Sequence, residues 1–106
     1  LQLNVLMQGD RAAFYRVTQR GGEQQIALVL LNKGNAPAAF EVKELLQAGR
    51  WHAALAGHDV DVAEGGALQA RVPAHGVEVY MLNAPVIDAR LRAALDQALA
   101  GATPRD

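Results

Sequence analysis

The chain has 106 residues, 51% of them hydrophobic, with ten lysines and arginines against eleven aspartates and glutamates for a net charge of −1. That length suits one domain with one core and excludes a (β/α)8 barrel, which needs about 250 residues. The two charge signs are mixed along the chain with no block of either, so there is no electrostatic footprint for nucleic acid or for an acidic membrane.

The opening "LQLNVL" has neither an initiator methionine nor a basic stretch ahead of an apolar one. It is not expected to be a signal peptide and reads as a chain cut from something longer. Cytoplasm is the default compartment, with periplasm and secretion left open. Short apolar or alternating runs then follow in order. "LNVLM" ends at "QGD", "AAFYRVTQ" at "RGGEQ" and "IALVLLN" at "KGN", and "AAFEV", "RWHAAL", "ALQARV" and "GVEVYML" come after them. Runs at roughly 8 to 12 residue spacing with Gly, Asn or Pro between them are the pattern of an all-β sandwich or barrel. The expected fold is therefore an antiparallel β-sandwich of about seven strands over residues 1–83. The two glycines of "RGGEQ" predict a hairpin.

The stretch 26–31, "IALVLL", is apolar on both faces, which predicts a central strand covered on both sides. It is far short of the roughly 20 apolar residues a membrane-spanning helix needs. "KELLQAG", residues 43–49, fits a helical turn or an irregular crossing equally well. After Asn83 the pattern changes: Ile87, Leu91, Leu95 and Leu99 recur every fourth residue, Asp88 stands near the start, and Gly101 and Pro104 supply a stop. This predicts a helix from Val86 to Ala100, in a C-terminal extension, 84–106, of the same domain. A lone helix of about 15 residues is marginal in water, so its stripe docks on its own sandwich or on another domain or copy of the chain.

Candidate chemistry is sparse. There is no cysteine and no serine, and His75 lies in "PAHG", where Pro73 ends one strand and Gly76 permits a tight corner before the next; it reads as a turn residue. His52, His58 and His75 are spaced unlike any short zinc motif. Asp59, Asp61 and Glu64 cluster in "GHDVDVAEGG", and Asp59 and Asp61 would share a face if extended, as a retaining glycosidase pair must, but the flanking glycines predict a solvated polar loop. "RGG" and "EGG" lack any phosphate-cradling frame. No catalytic, metal or cofactor site is expected. Trp51, at a strand start, either closes the core or stacks on a sugar ring.

Three stretches together resemble the C-terminal β-sandwich that follows the catalytic barrel in family 13 glycoside hydrolases, the α-amylase family, which includes cyclodextrin glucanotransferases, cyclomaltodextrinases and α-glucosidases. They are Leu30-Leu31-Asn32 closing the central strand, Gly49-Arg50-Trp51 opening a later one, and Val72 to Val77 entering the last, over roughly residues 3–83. The resemblance implies a non-catalytic domain that stabilises or packs against the catalytic barrel of its parent chain. It carries no catalytic residue onto any position here, because the family's acids belong to the barrel. The alternative it implies is an α-glucan-binding module using Trp51. The helix after Asn83 departs from the family's pattern and suggests self-association through Ile87, Leu91, Leu95 and Leu99.

Overall fold

The computed structural model describes residues 2–20, 23–43, 45–55, 58–82 and 87–101. The strands are β1 (Gln2–Gln8), β2 (Arg11–Arg20), β3 (Glu23–Asn32), β4 (Ala38–Val42), β5 (Gly49–Ala53), β6 (Val60–Val62), β7 (Leu68–Val72) and β8 (Val77–Leu82), and one helix follows, α1 (Ala89–Gly101). Every pairing is antiparallel. Six strands form a large sheet in the order β1-β2-β3-β8-β5-β6, and β4 pairs with β7 in a small one. The chain is thus an antiparallel β-sandwich with a C-terminal helix, as its sequence predicts.

Alternation builds the core. Along β3, Ile26, Leu28 and Leu30 are fully buried. They stand opposite Val17, Tyr15 and Ala13 on β2 and opposite Leu82, Tyr80 and Glu78 on β8. Phe40 and Val42 from β4 and Leu68 and Val72 from β7 close over them from the small sheet. Burying each such side chain contributes about 1.5–3 kcal/mol. At the seam, the Arg11 guanidinium donates to the Ala39 carbonyl at 2.9 Å and ties β2 to β4.

The expected sandwich of about seven strands has eight among the described residues, with Val60–Val62, in the segment read as a solvated loop, pairing with β5. Two expectations need correction. The helix begins at Ala89 rather than Val86, because the Asp88 carboxylate Oδ1 caps it by accepting the N–H groups of Arg90 and Leu91, both at 3.0 Å. And β3, though third of six strands, is fully covered on one face only: Ala27, Val29 and Leu31 are half-buried within the described chain.

The two open points resolve simply. Residues 45–48 cross irregularly to β5, with Leu45 at φ 58° and Leu46 and Gln47 buried. The "RGG" hairpin is consistent with β2 and β3 pairing from Arg20↔Glu23 to Arg11↔Asn32, while Gly21 and Gly22 themselves lie outside the described residues.

Candidate functional site

"PAHG" is a strand corner. The Gly76 N–H donates to the Pro73 carbonyl at 3.0 Å, closing a four-residue turn. His75, at φ 54°, is its left-handed residue, which is the sign pattern of a type II turn. Gly76 is needed for space rather than for φ, since a Cβ there would meet the Pro73 carbonyl oxygen at 2.8 Å. The His75 N–H donates to the Gly34 carbonyl at 3.1 Å, so the residue's backbone anchors the corner while its side chain is exposed.

Trp51 belongs to the core. It is fully buried, its ring centroid is 6.4 Å from that of Tyr15, and its Nε1–H donates to the Gln47 carbonyl at 3.0 Å. A buried indole has no face to offer a sugar ring, so of the two readings of Trp51 its burial fits the closing of the core and not the carbohydrate contact. Gln47 then turns its side-chain Oε1 to the N–H groups of Ile87 and Asp88, at 2.8 and 3.1 Å. One buried glutamine thus joins β5, through Trp51, to the start of α1. No pattern in "KELLQAG" signals this, because the Trp51 bond uses the backbone carbonyl of Gln47 and the Ile87 and Asp88 amides lie 40 and 41 residues away.

The helical stripe also turns inward. Leu91 and Leu95 enter the sandwich core, Ile87 precedes the helix and is 75% exposed, and the side chain of Leu99 lies outside the described residues. The two central leucines of the stripe are thus used internally, among the described side chains. Beside the helix start, a groove of about 620 Å³ is lined by Lys43, Gln47, Glu64 and Arg90 among others. Gln47 and Asp88 already take up backbone amides at the helix entrance, those of Ile87, Asp88, Arg90 and Leu91.

The carboxylates of "GHDVDVAEGG" act as clamps. Asp59 accepts the Ala53 N–H through Oδ1 at 2.9 Å and meets His52 Nδ1 through Oδ2 at 3.0 Å. The Ala53 amide, and then His52, hold its carboxyl below the usual carboxylate value. A general acid at neutral pH needs the opposite shift. Asp61 accepts Arg50 Nη1 at 3.1 and 3.2 Å through its two oxygens. His58 is exposed, and among the described residues no three His, Asp or Glu side chains gather as metal ligands would. Tyr80 is held above its ordinary value by burial first and by Glu78 second.

What distinguishes the molecule is a contrast between its two outer faces. On the small sheet, Ala39, Glu41, Gln69 and Arg71 point outward and are exposed, and Gln69 Nε2 donates to Glu41 at 2.9 Å. On the large sheet the outward residues form an apolar field. Phe14 stands opposite Val29, which stands opposite Val79; on either side run Ala12, Leu31 and Val77, and Ala27 and Met81. Met7 on β1 extends the field to the edge at 67% exposure, and Val77 is 43% exposed. Of the two Phe, two Tyr and one Trp, only Phe14 escapes full burial, and it lies in this field. Polar residues border it: Asn4, Arg16 and Thr18 toward β1 and β2, and Arg50, His52 and Asp61 on β5 and β6. An apolar centre with a polar border is the anatomy of a protein interface.

The sequence matches no protein-family model and no curated protein. Among solved structures, the chain is similar to an α-amylase from Anoxybacillus, with a TM-score of 0.61 and 17% identity over 81% of this chain and 18% of that one. It is also matched to α-galactosidase I from Mortierella vinacea, with a TM-score of 0.48 and 16% identity over 74% of this chain and 22% of that one. The chain spans about a fifth of the length of each. The likeness is one of fold: a β-sandwich of a kind found within a glycoside hydrolase.

Proposed function

We propose that this chain is a non-catalytic β-sandwich domain of an α-amylase-family glycoside hydrolase or glucanotransferase acting on α-glucans, and that it stabilises the enzyme by packing against its catalytic barrel. The observation that carries this reading is the uncovered second face of β3. A strand apolar on both faces is made to be buried on both, and here the described chain covers only one, leaving Val29 and its neighbours half-exposed beside Phe14. A domain that works by covering, and by being covered, needs such a face and needs no perturbed acid of its own. Its likeness to part of an α-amylase supports the choice of partner. The alternative of a glucan-binding module loses its platform with the burial of Trp51.

The test is direct. Purified as an isolated chain, the protein is expected to show no turnover of starch, maltodextrin or cyclodextrin above a blank. Turnover abolished by D59N or D61N would overturn the proposal, and so would a native coding sequence with no catalytic barrel joined to this domain.

A further inference from the structure

The end of the large sheet is held by carboxylates. After β5 the chain turns away, and its backbone amides are taken in succession: Ala53 by Asp59 at 2.9 Å, Ala54 by the Val79 carbonyl at 2.8 Å, and Leu55 by Glu78 Oε1 at 3.2 Å. The same Glu78 oxygen accepts its own neighbour's N–H, that of Val79, at 3.0 Å, and Glu78 is itself buried. On the outer face, Asp61 receives Arg50 Nη1 at 3.1 Å, and Arg50 Nε lies 3.9 Å from Asp59. Three carboxylates from two strands and a loop therefore fasten this corner. Beyond them, β6 has a ladder of three residue pairs and, among the described residues, no strand on its other side. A strand that short is marginal by itself; burial of Val62 and these side-chain clamps supply the rest.

We propose that β6 is an acid-released latch: neutralising Asp59, which fastens the entry of β6 to the Ala53 amide and His52 of β5, frees Val60–Val62 from β5 and opens the edge of the large sheet, while the β2-β3-β8 centre stays folded. The physical basis is that N–H bonds to an ionised carboxylate are about twice as strong as neutral ones, and the Arg50 pairs vanish with the charge. The groups facing Asp59 are His52 and Arg50 on β5; Arg50 also faces Asp61 on β6, and Tyr80 on β8 stands opposite Ala53 and near Glu78. The sign follows from Asp59, whose folded-state carboxyl is held below its ordinary 3.8. Its contribution is complete above the ordinary carboxylate range and is lost as pH falls through the lowered value. The centre of the sheet is held differently, by the long β2-β3 and β3-β8 backbone ladders over a largely apolar core, against three residue pairs for β6. The latch holds whether or not a catalytic domain covers the outer face, so it stands apart from the functional proposal.

Hydrogen exchange by mass spectrometry tests it, with rates corrected for intrinsic exchange at about pH 6 and about pH 2, the latter well below the ordinary carboxylate value. Peptides containing Val60–Val62 are expected to lose protection severalfold at the lower pH relative to peptides from β2 and β3. The D59N/D61N protein, altered only at exposed side chains, is expected to show part of that loss already at the higher pH. Equal retention of protection by β6 and by β2-β3 at the lower pH would overturn the latch, as would a D59N/D61N protein that exchanges like the parent.

Discussion

Asn32 closes β3 with its side chain turned into the molecule, 3% exposed. Its Nδ2 donates to the carbonyls of Ala36, Val72 and Pro73 at 2.8, 3.1 and 3.1 Å, and its Oδ1 accepts the Gly34 N–H at 2.9 Å. One amide thus binds the β3 exit, the loop after it and the β7–β8 corner, where the Asn32 backbone N–H also reaches the Gly76 carbonyl at 3.0 Å. Removing it leaves several backbone groups without their partner, so N32A is expected to lose about 2–4 kcal/mol in urea unfolding. N32D should fare little better, since a carboxylate cannot donate to three carbonyls. His75 offers the opposite change. Its left-handed φ of 54° strains any residue with a Cβ, and H75G should relieve about 1 kcal/mol of that strain, partly offset by the glycine's greater freedom when unfolded. "PAHG" was legible as a corner because Pro and Gly announce one locally. The role of Asn32 was not, because its acceptors on β7 lie 40 residues away and are backbone atoms common to every sequence.

At the scale of elements, α1 shows where periodicity stops being informative. The spacing of Ile87, Leu91, Leu95 and Leu99 fits one stripe, yet Ile87 stands outside the helix, because a residue one turn before a helix falls on the same spacing whether or not its backbone is helical. The boundary is set by hydrogen bonds instead: the first helical bond runs from the Arg92 N–H to the Asp88 carbonyl at 2.9 Å. D88A is expected to cost about 1 kcal/mol in thermal or urea unfolding, and D88N to restore most of it, since asparagine caps almost as well. L91A, which empties a fully buried position, should cost about 2–5 kcal/mol. That ordering separates the cap from the packing: if D88A proved as damaging as L91A, Asp88 would be holding more than the helix. The missed strand has a related cause. "VDV" offers a single alternation between glycines and acids, and what makes it a strand is the edge of β5 waiting for it, a partner no local window contains.

For the whole molecule, the apolar run of β3 carried more meaning than the expected fold used. It predicted cover on both sides, and the sandwich supplies one side from its own small sheet. Sequence composition alone could not separate a face buried by this domain from a face reserved for another, because both are written in Val, Leu and Ala. The structure shows which face this domain leaves half-exposed, and stability measurements can test whether another domain covers it. In the isolated chain, V29K places a charge among half-exposed neighbours beside solvent, and unfolding should change by less than about 1 kcal/mol. If the domain packs on a catalytic barrel as proposed, the same substitution in the polypeptide that contains both would bury that charge in the interface, and the penalty should rise to several kcal/mol or appear as undocking of the domain. Q69K on the exposed, polar face of the small sheet is expected to leave both forms unchanged. If V29K and Q69K were equally silent in the full polypeptide, the outer face of the large sheet would be a solvent surface. The stabilising role would then have to be sought in the seam between the two sheets, where Arg11 already reaches across to β4.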